Sequence, residues 1–500
     1  MAETAKGSIG PSREMDAVDY LMHRGEANPR TRSAFLGVEI LDRGVDFERL
    51  REIYERTTRA VVRMRQKVVV PALPTAAPRW VVDPDFDLGY HLRRVRIPEP
   101  GTHRQVLDLA ELILRSPLDP GRPLWTVTLV EGLEGGRSAL LAHTSHAVTD
   151  GMGGVAMMRE LYDLERDAPR RPMPPLPVPE DLSPTDLART GMSGLPRSAV
   201  SGTRSLLGGA VGALGRLVRS PVQTVTDTIE FTRSIGRVLG PPPVEPSPLM
   251  RRRSLSSRTE TVDVPLDDLR RASKAAGGSI NDAYLAALSG ALRLYHEELG
   301  VPVEAVPMAV PVSLRTEDDP VGGNRFAGVT LAAPLSETDP AERMRLIREQ
   351  IVTGREERAV DLLGRLAPVL TLLPGPLLEV VAGSMTPPDV QASNVPGYQQ
   401  DTFIAGAKVQ RQYGLGPLPG VAMMVVFVSR AGACTVAARY DTASITDDEL
   451  FARCLREGFA EVLALGHEAP APPDGAAKPA VDRRRPATAG RRRARPAATR

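Results

Sequence analysis

A chain of 500 residues, 42% of them hydrophobic, is long and apolar enough for two or more domains with substantial cores. Two cysteines, Cys434 and Cys454, exclude a disulfide framework and offer no metal-ligand spacing, which implies a reducing, cytosolic setting. The net charge of +2 conceals an acidic body of −5 and a basic tail of +7 from Ala471 to Arg500, and no basic start leading into an apolar core marks a secretory signal.

Helix and strand signals run from Glu14 to about Asp167. Pro123-Leu124-Trp125 leads into an expected strand from Thr126 to Val130, where a large aromatic at the start reads as core. The next apolar run, Leu140-Leu141-Ala142, ends in His143-Thr144-Ser145-His146, with Asp150 and Gly151 just beyond. A buried strand ending in a polar cluster delivers side chains into a cleft, and histidine is the side chain best suited to proton transfer near neutral pH. His146 is therefore the first candidate for a general base, although a strand-end histidine taken alone is more often a hydrogen-bonded structural residue. His143 lies about 7 Å from Ser145 on the same strand face and is assigned a structural role. Gly151 is expected to let the chain turn tightly into a following helix.

Between Pro169 and Pro179 six prolines exclude a regular helix and mark a linker. A helical stretch follows, from Ser205 to Arg219 and from Val225 to Val238, before a second proline cluster at Pro241 to Pro248. Arginines flank the apolar Leu206–Val218 run, which allows a membrane-surface reading. Its glycines at 208, 209, 212 and 215 weaken an isolated helix by about 1 kcal/mol each and favour close packing instead.

From about Ser254 to Leu465 strand and helix signals alternate again. Ser279 reads as an N-cap, with Asp282 as its capping-box partner and Tyr284, Leu285, Leu288, Leu292, Tyr295 and Leu299 on one face. Asn281 and Asp282 thus fall in the first turn, where Asp282 alone stabilises the helix start. Ser393, Asn394 and Gly397 are expected in a turn that either lines a channel or connects lobes. Val421 to Val428 is far shorter than the roughly 20 residues a spanning helix needs and reads as a buried strand. The tail has few residues to bury and is expected to be disordered, as a passive extension or as an electrostatic tether to anionic lipid. The divisions are residues 1–167, a linker over 168–253, residues 254–467 and a tail over 468–500.

The blocks Pro123-Leu124-Trp125, His146 with Asp150-Gly151, Asn281-Asp282, Pro311-Val312-Ser313-Leu314-Arg315 and Ser393-Asn394-Val395-Pro396-Gly397, in this order, resemble the bacterial wax ester synthase/diacylglycerol acyltransferase family. That family is a branch of the CoA-dependent acyltransferases sharing an HHxxxDG site, and the resemblance runs from about Met15 to His467. It implies an α/β (α+β) fold of two chloramphenicol-acetyltransferase-like lobes joined by a long helical crossover. It makes His146 catalytic, with Ser145 where the family usually has a first histidine, which bears on rate or substrate preference more than on reaction type. By the same resemblance Asp150 points away from the histidine and pairs with an arginine, of which Arg315 is the expected one. Asn281 would orient the acceptor or the thioester carbonyl, with Asp282 structural.

The implied donor is a long-chain acyl-CoA, used as co-substrate with no further cofactor and no metal. The implied acceptor is diacylglycerol or a long-chain fatty alcohol, and the product triacylglycerol or a wax ester. Peripheral contact with the inner membrane surface or lipid droplets suits such substrates, and no specific nucleic acid is expected. The sequence has no Gly-x-Ser-x-Gly elbow and no cysteine in a nucleophile setting, which favours direct transfer over an acyl-enzyme. Three alternatives stay open: a condensation-type acyltransferase using carrier-protein thioesters, a non-catalytic lipid-binding homologue, and a nucleic-acid-binding protein resting on the arginine tail alone.

Overall fold

The computed structural model describes residues 14–73, 75–148, 157–194, 242–313, 326–355, 367, 370–371 and 387–467. Helix α1 (Ala17–Gly25) precedes β1 (Phe35–Leu41), α2 (Phe47–Ala60), the ribbon β2 (Gln66–Val69) and β3 (Arg79–Val82), and the single turn α3 (Leu88–His91). Then come β4 (Leu92–Arg96), α4 (His103–Arg115), β5 (Trp125–Glu131), β6 (Ser138–Thr144) and α5 (Pro184–Gly194). Strands β5 and β6 are each buried at six of seven positions, because both faces are covered. Val127, Leu129 and Leu140 enter one core with Leu50, Ile53 and Tyr54 of α2. Val130, Ala139 and Leu141 enter another with Val106, Ala110 and Leu114 of α4. The proline-rich stretch 168–183 has no helix or strand and packs along the ribbon, with the Glu180 N–H donating to the Val82 carbonyl at 3.0 Å.

The second half comprises β7 (Ser257–Pro265), α6 (Leu266–Ala275), α7 (Ile280–Glu298), β8 (Ala305–Ser313), β9 (Phe326–Pro334) and α8 (Pro340–Arg355). It continues through β10 (Val390–Pro396), β11 (Phe403–Ile404), β12 (Ala407–Leu415), β13 (Met423–Arg430), β14 (Ala433–Asp441) and α9 (Asp448–Ala464). The apolar run ending at Val428 is β13, buried at seven of its eight positions. Helix α7 differs from the one-faced helix expected: Asp282 through Arg293 are all buried, because α6, α8, α9 and the sheet surround it. Small residues permit this, and a Cβ on Gly458 of α9 would lie 2.5 Å from the Ala287 carbonyl oxygen.

The strands form two mixed six-stranded sheets, ordered β11-β12-β1-β6-β5-β4 and β7-β14-β13-β10-β8-β9. The first sheet is completed from the far half of the chain, since β12 pairs antiparallel with β1 from Leu36–Leu415 to Leu41–Val409. The boundary at residue 254 is thus no boundary between sheets. A buried ion pair also ties the halves: Glu111 of α4 accepts from Arg439 Nε of β14 at 3.1 and 3.2 Å. The Ser257 and Thr259 hydroxyls of β7 donate to the same carboxylate.

Candidate functional site

The site is built at one end of β6. Antiparallel pairing sets Phe35 opposite Thr144 and Thr144 opposite Trp125, so the three share one sheet face. Trp125 is the motif aromatic, buried to 2% exposure, and its indole N–H donates to the Met64 carbonyl at 2.7 Å. Beyond Thr144 the chain turns: the Ser145 carbonyl accepts the Val148 N–H at 3.0 Å, which puts His146 second in a four-residue turn. Its imidazole lies on the Phe35 ring, with centroids 4.6 Å apart.

Along β1 that face meets the second half of the chain, while under Trp125 it is covered by α2. Gly37, two residues along β1 from Phe35, pairs with Gly414, where a Cβ would sit 2.8 Å from Val426 Cγ1 of β13. His146 is half-buried, and burial pushes its imidazole down from 6.5 to about 4, leaving it neutral at neutral pH. Among the described residues no side chain or backbone group hydrogen-bonds to its ring.

Ser145 is fully buried and has every polar group engaged. Its N–H donates to the Leu124 carbonyl at 3.0 Å, its hydroxyl oxygen accepts the Ala147 N–H at 3.3 Å, and its hydroxyl donates to Glu26 Oε1 at 3.2 Å. His143 is buried at 2% exposure on the opposite face, and burial lowers its imidazole to about 4.

Two further motif residues meet in the second half. The Ser279–Asp282 capping box is complete: the Ser279 hydroxyl accepts the Asp282 N–H at 3.2 Å, and the Asp282 carboxylate accepts the Ser279 N–H at 2.8 Å. Asn281 is left half-buried in the first turn of α7, and Asn394 Nδ2 donates to its Oδ1 at 3.2 Å.

The expected turn at Ser393, Asn394 and Gly397 is corrected by this geometry. Ser393 and Asn394 belong to strand β10, because parallel pairing with β13 continues in register from Val390 through Pro396. Gly397 follows the strand, donates its N–H to the Ser429 carbonyl at 2.8 Å, and would place a Cβ 3.1 Å from that oxygen. Its role is close backbone approach. Asp150, Gly151 and Arg315 lie outside the described residues, as do the 204–219 stretch and the basic tail.

Residue spacing alone misses Phe35 and Glu26. Glu26 is 119 positions from the serine it binds, and no local pattern marks either residue. A cleft of about 920 Å³, lined by His103, Asp263, Arg411 and Tyr413, lies elsewhere. It opens beside Ile40 and Asp42, at the end of β1 away from Phe35, about 20 Å along the strand. Distance from the histidine motif sets it apart from this site.

Both cysteines are buried, with thiols pushed up to about 12 for Cys434 and about 11 for Cys454, so neither is an activated nucleophile. Among the described residues no cluster of His, Cys, Asp and Glu is placed to hold a metal ion.

Comparison with known proteins agrees with this arrangement. The profile described as the wax ester synthase/diacylglycerol acyltransferase catalytic domain matches residues 11–284, and that of the WS/DGAT C-terminal domain matches residues 322–462. The fold is similar to that of the wax ester synthase/diacylglycerol acyltransferase from Marinobacter aquaeolei VT8, with a TM-score of 0.60 at 19% identity over 91% of this chain and 100% of that one. It is also similar to the starter condensation domain of rhizomide synthetase, with a TM-score of 0.54 at 12% identity over 91% and 95% of the two chains. These likenesses define a mixed α/β fold of the chloramphenicol-acetyltransferase type.

A Mycobacterium tuberculosis H37Rv protein bearing the name "Putative diacyglycerol O-acyltransferase" is 60% identical over 465 residues, 93% of this chain and 94% of its own. A second protein of that strain and name is 31% identical over 70% of this chain and 76% of its own. The chain belongs to the wax ester synthase/diacylglycerol acyltransferase family.

Proposed function

We propose that this acyltransferase moves a long-chain acyl group from acyl-CoA to the hydroxyl of diacylglycerol or of a long-chain alcohol, with His146 as general base. The observation that carries the reading is the placement of the His146 ring, in the turn that follows β6 and against Phe35, with no hydrogen-bond partner among the described residues; burial that favours the neutral imidazole is in keeping with it. The acceptor hydroxyl gives its proton to the imidazole as its oxygen attacks the thioester carbonyl carbon. The tetrahedral intermediate collapses with cleavage of the C–S bond, and the imidazolium returns the proton to the CoA thiolate. Ester and free CoA leave.

Asn394 holds the Asn281 side-chain oxygen, and among the described residues the Asn281 amide hydrogens have no acceptor, which leaves them to orient a carbonyl or its oxyanion. The names borne by the mycobacterial relatives support diacylglycerol as acceptor. The buried, high-pKa thiols support direct transfer.

The test is CoA release from palmitoyl-CoA with diacylglycerol or hexadecanol, using wild type and His146→Ala in parallel. Acceptor-dependent release that falls by about 10²–10⁴ in the variant supports the reading and ranks the acceptors. Absence of release with either acceptor from folded protein points to another acceptor or to non-catalytic lipid binding.

Among the described residues no helix is long and apolar enough to cross a membrane. Contact with lipid is therefore proposed as peripheral, and failure to enrich on anionic liposomes over buffer counts against it.

A further inference from the structure

Glu26 caps the C-terminal end of α1 and reaches the turn that carries His146. Its Oε1 accepts three hydrogen bonds, from the Ser33 N–H at 3.3 Å, the Ser33 hydroxyl at 2.8 Å and the Ser145 hydroxyl at 3.2 Å. Its Oε2 is buried, 4.0 Å from Arg32 Nε, and has no hydrogen-bond partner. Side-chain exposure is 11% for Glu26 and 13% for Arg32, so water does not compete freely here.

A serine hydroxyl has one hydrogen and two lone pairs. At Ser145 one lone pair takes the Ala147 N–H, and the hydrogen is committed to Glu26. With the backbone N–H and carbonyl also engaged, the residue before His146 is held from four directions. Remove the acceptor and the hydroxyl rotates in a buried site, leaving the Ala147 N–H without a fixed partner. The two residues flanking His146 then lose their definition, and an imidazole must stand within a fraction of an ångström of its proton donor to work well.

We infer that Glu26 is a positioning residue for His146, acting through the Ser145 hydroxyl and the turn Ser145–Val148. The inference rests on the proposed role of His146 and adds a partner that no motif contains. What the site asks of Glu26 is a hydrogen-bond acceptor. Burial pushes its carboxyl up from the usual carboxylate range, in keeping with a role that does not depend on charge. A glutamine amide oxygen therefore serves equally well.

The experiment compares full-length wild type with Glu26→Gln, Glu26→Leu, Ser145→Ala and the Glu26→Leu/Ser145→Ala pair. Two readouts are taken at a temperature where circular dichroism shows each protein folded. One is kcat and KM for palmitoyl-CoA in the CoA-release assay. The other is the rate at which diethyl pyrocarbonate modifies His146, followed by peptide mass spectrometry.

Expected are a fall in kcat of about tenfold or more for Glu26→Leu and for Ser145→Ala, with KM within about twofold. The double variant should be no worse than the poorer single one, as for two residues acting through one bond. Glu26→Gln should stay within about threefold of wild type. The His146 modification rate should change in Glu26→Leu, in Ser145→Ala and in the double variant, and stay at the wild-type value in Glu26→Gln. Additive losses, a Glu26→Gln as impaired as Glu26→Leu, or an unaltered modification rate in every variant would each overturn the inference. Absence of CoA release by the wild type counts against the proposed acceptors or against catalysis and not against Glu26, whose role the modification rates then decide.

Discussion

Asn394 donates from Nδ2 to the side-chain oxygen of Asn281 at 3.2 Å, joining the end of β10 to the first turn of α7 across 113 residues of chain. The bond leaves the Asn281 amide group directed by a partner from a different element. Asn281→Ala is expected to lower kcat/KM by about 10²-fold, the loss typical of one oxyanion donor. Asn394→Ala should cost about tenfold, since it frees the donor without deleting it. Steady-state CoA release checks both, and an Asn394→Ala effect larger than that of Asn281→Ala contradicts the order.

The His146 imidazole, lowered by burial to about 4, is already neutral across the range in which a free histidine titrates. The acid limb of kcat/KM therefore belongs near pH 4, and activity should be flat from about pH 5.5 to 8. A limb centred between pH 6 and 7 would assign the base elsewhere.

Stability follows the same depressions. Burial lowers His91, His143 and His146 from 6.5 to about 4. Between those values the unfolded chain binds more protons than the folded one, so stability is fully present above pH 6.5 and falls as pH drops toward 4. The buried carboxyls of Glu26, Glu39 and Asp389, pushed up by burial, act in the opposite sense, losing stability as pH rises through their raised values. His143→Leu, which removes one histidine from the balance, should reduce the loss of thermal midpoint between pH 6.5 and 5 relative to wild type.

Glu111 and Arg439 form a buried interlobe pair, with side chains 3% and 8% exposed. Removing one partner strands a charge out of water at a cost of about 3–5 kcal/mol. Glu111→Leu or Arg439→Met should lower the urea midpoint sharply, and the double replacement should recover much of the loss. Additive losses in the double variant would show that the pair is not coupled.

Gly458 leaves no room between α9 and α7, where a Cβ would stand 2.5 Å from both the Ala287 oxygen and the Ala291 nitrogen. Gly458→Val should destabilise by about 1–3 kcal/mol or more through overpacking. Gly432, with φ of +79° and open space around it, tests a different cost: Gly432→Ala strains only the backbone. Denaturant titrations separate the two effects.

Much of the site is local and so was legible in the residues. Apolar β6 leading into Ser145-His146, and Ser279 with Asp282 three positions on, are patterns whose physics acts within a few residues: a covered strand, a capped helix. The turn expected at Ser393 and Asn394 was not legible as strand, because the pairing with Phe427 and Val426 that extends β10 involves residues some thirty positions away. The one-faced α7 failed for the same reason, since burial on the other sides is imposed by α6, α8 and α9.

The buried strand leading to His146, the family, the capped start of α7 and the candidate base at His146 were therefore determined by the sequence, because short-range periodicity and motif order carry them. Only the tertiary structure decided that β12 crosses to complete the first sheet, that Phe35 carries the His146 ring, and that Glu26 holds Ser145. Each of these depends on contacts between residues tens to hundreds of positions apart. Such contacts are selected by the joint burial of whole elements, and no local spacing encodes them.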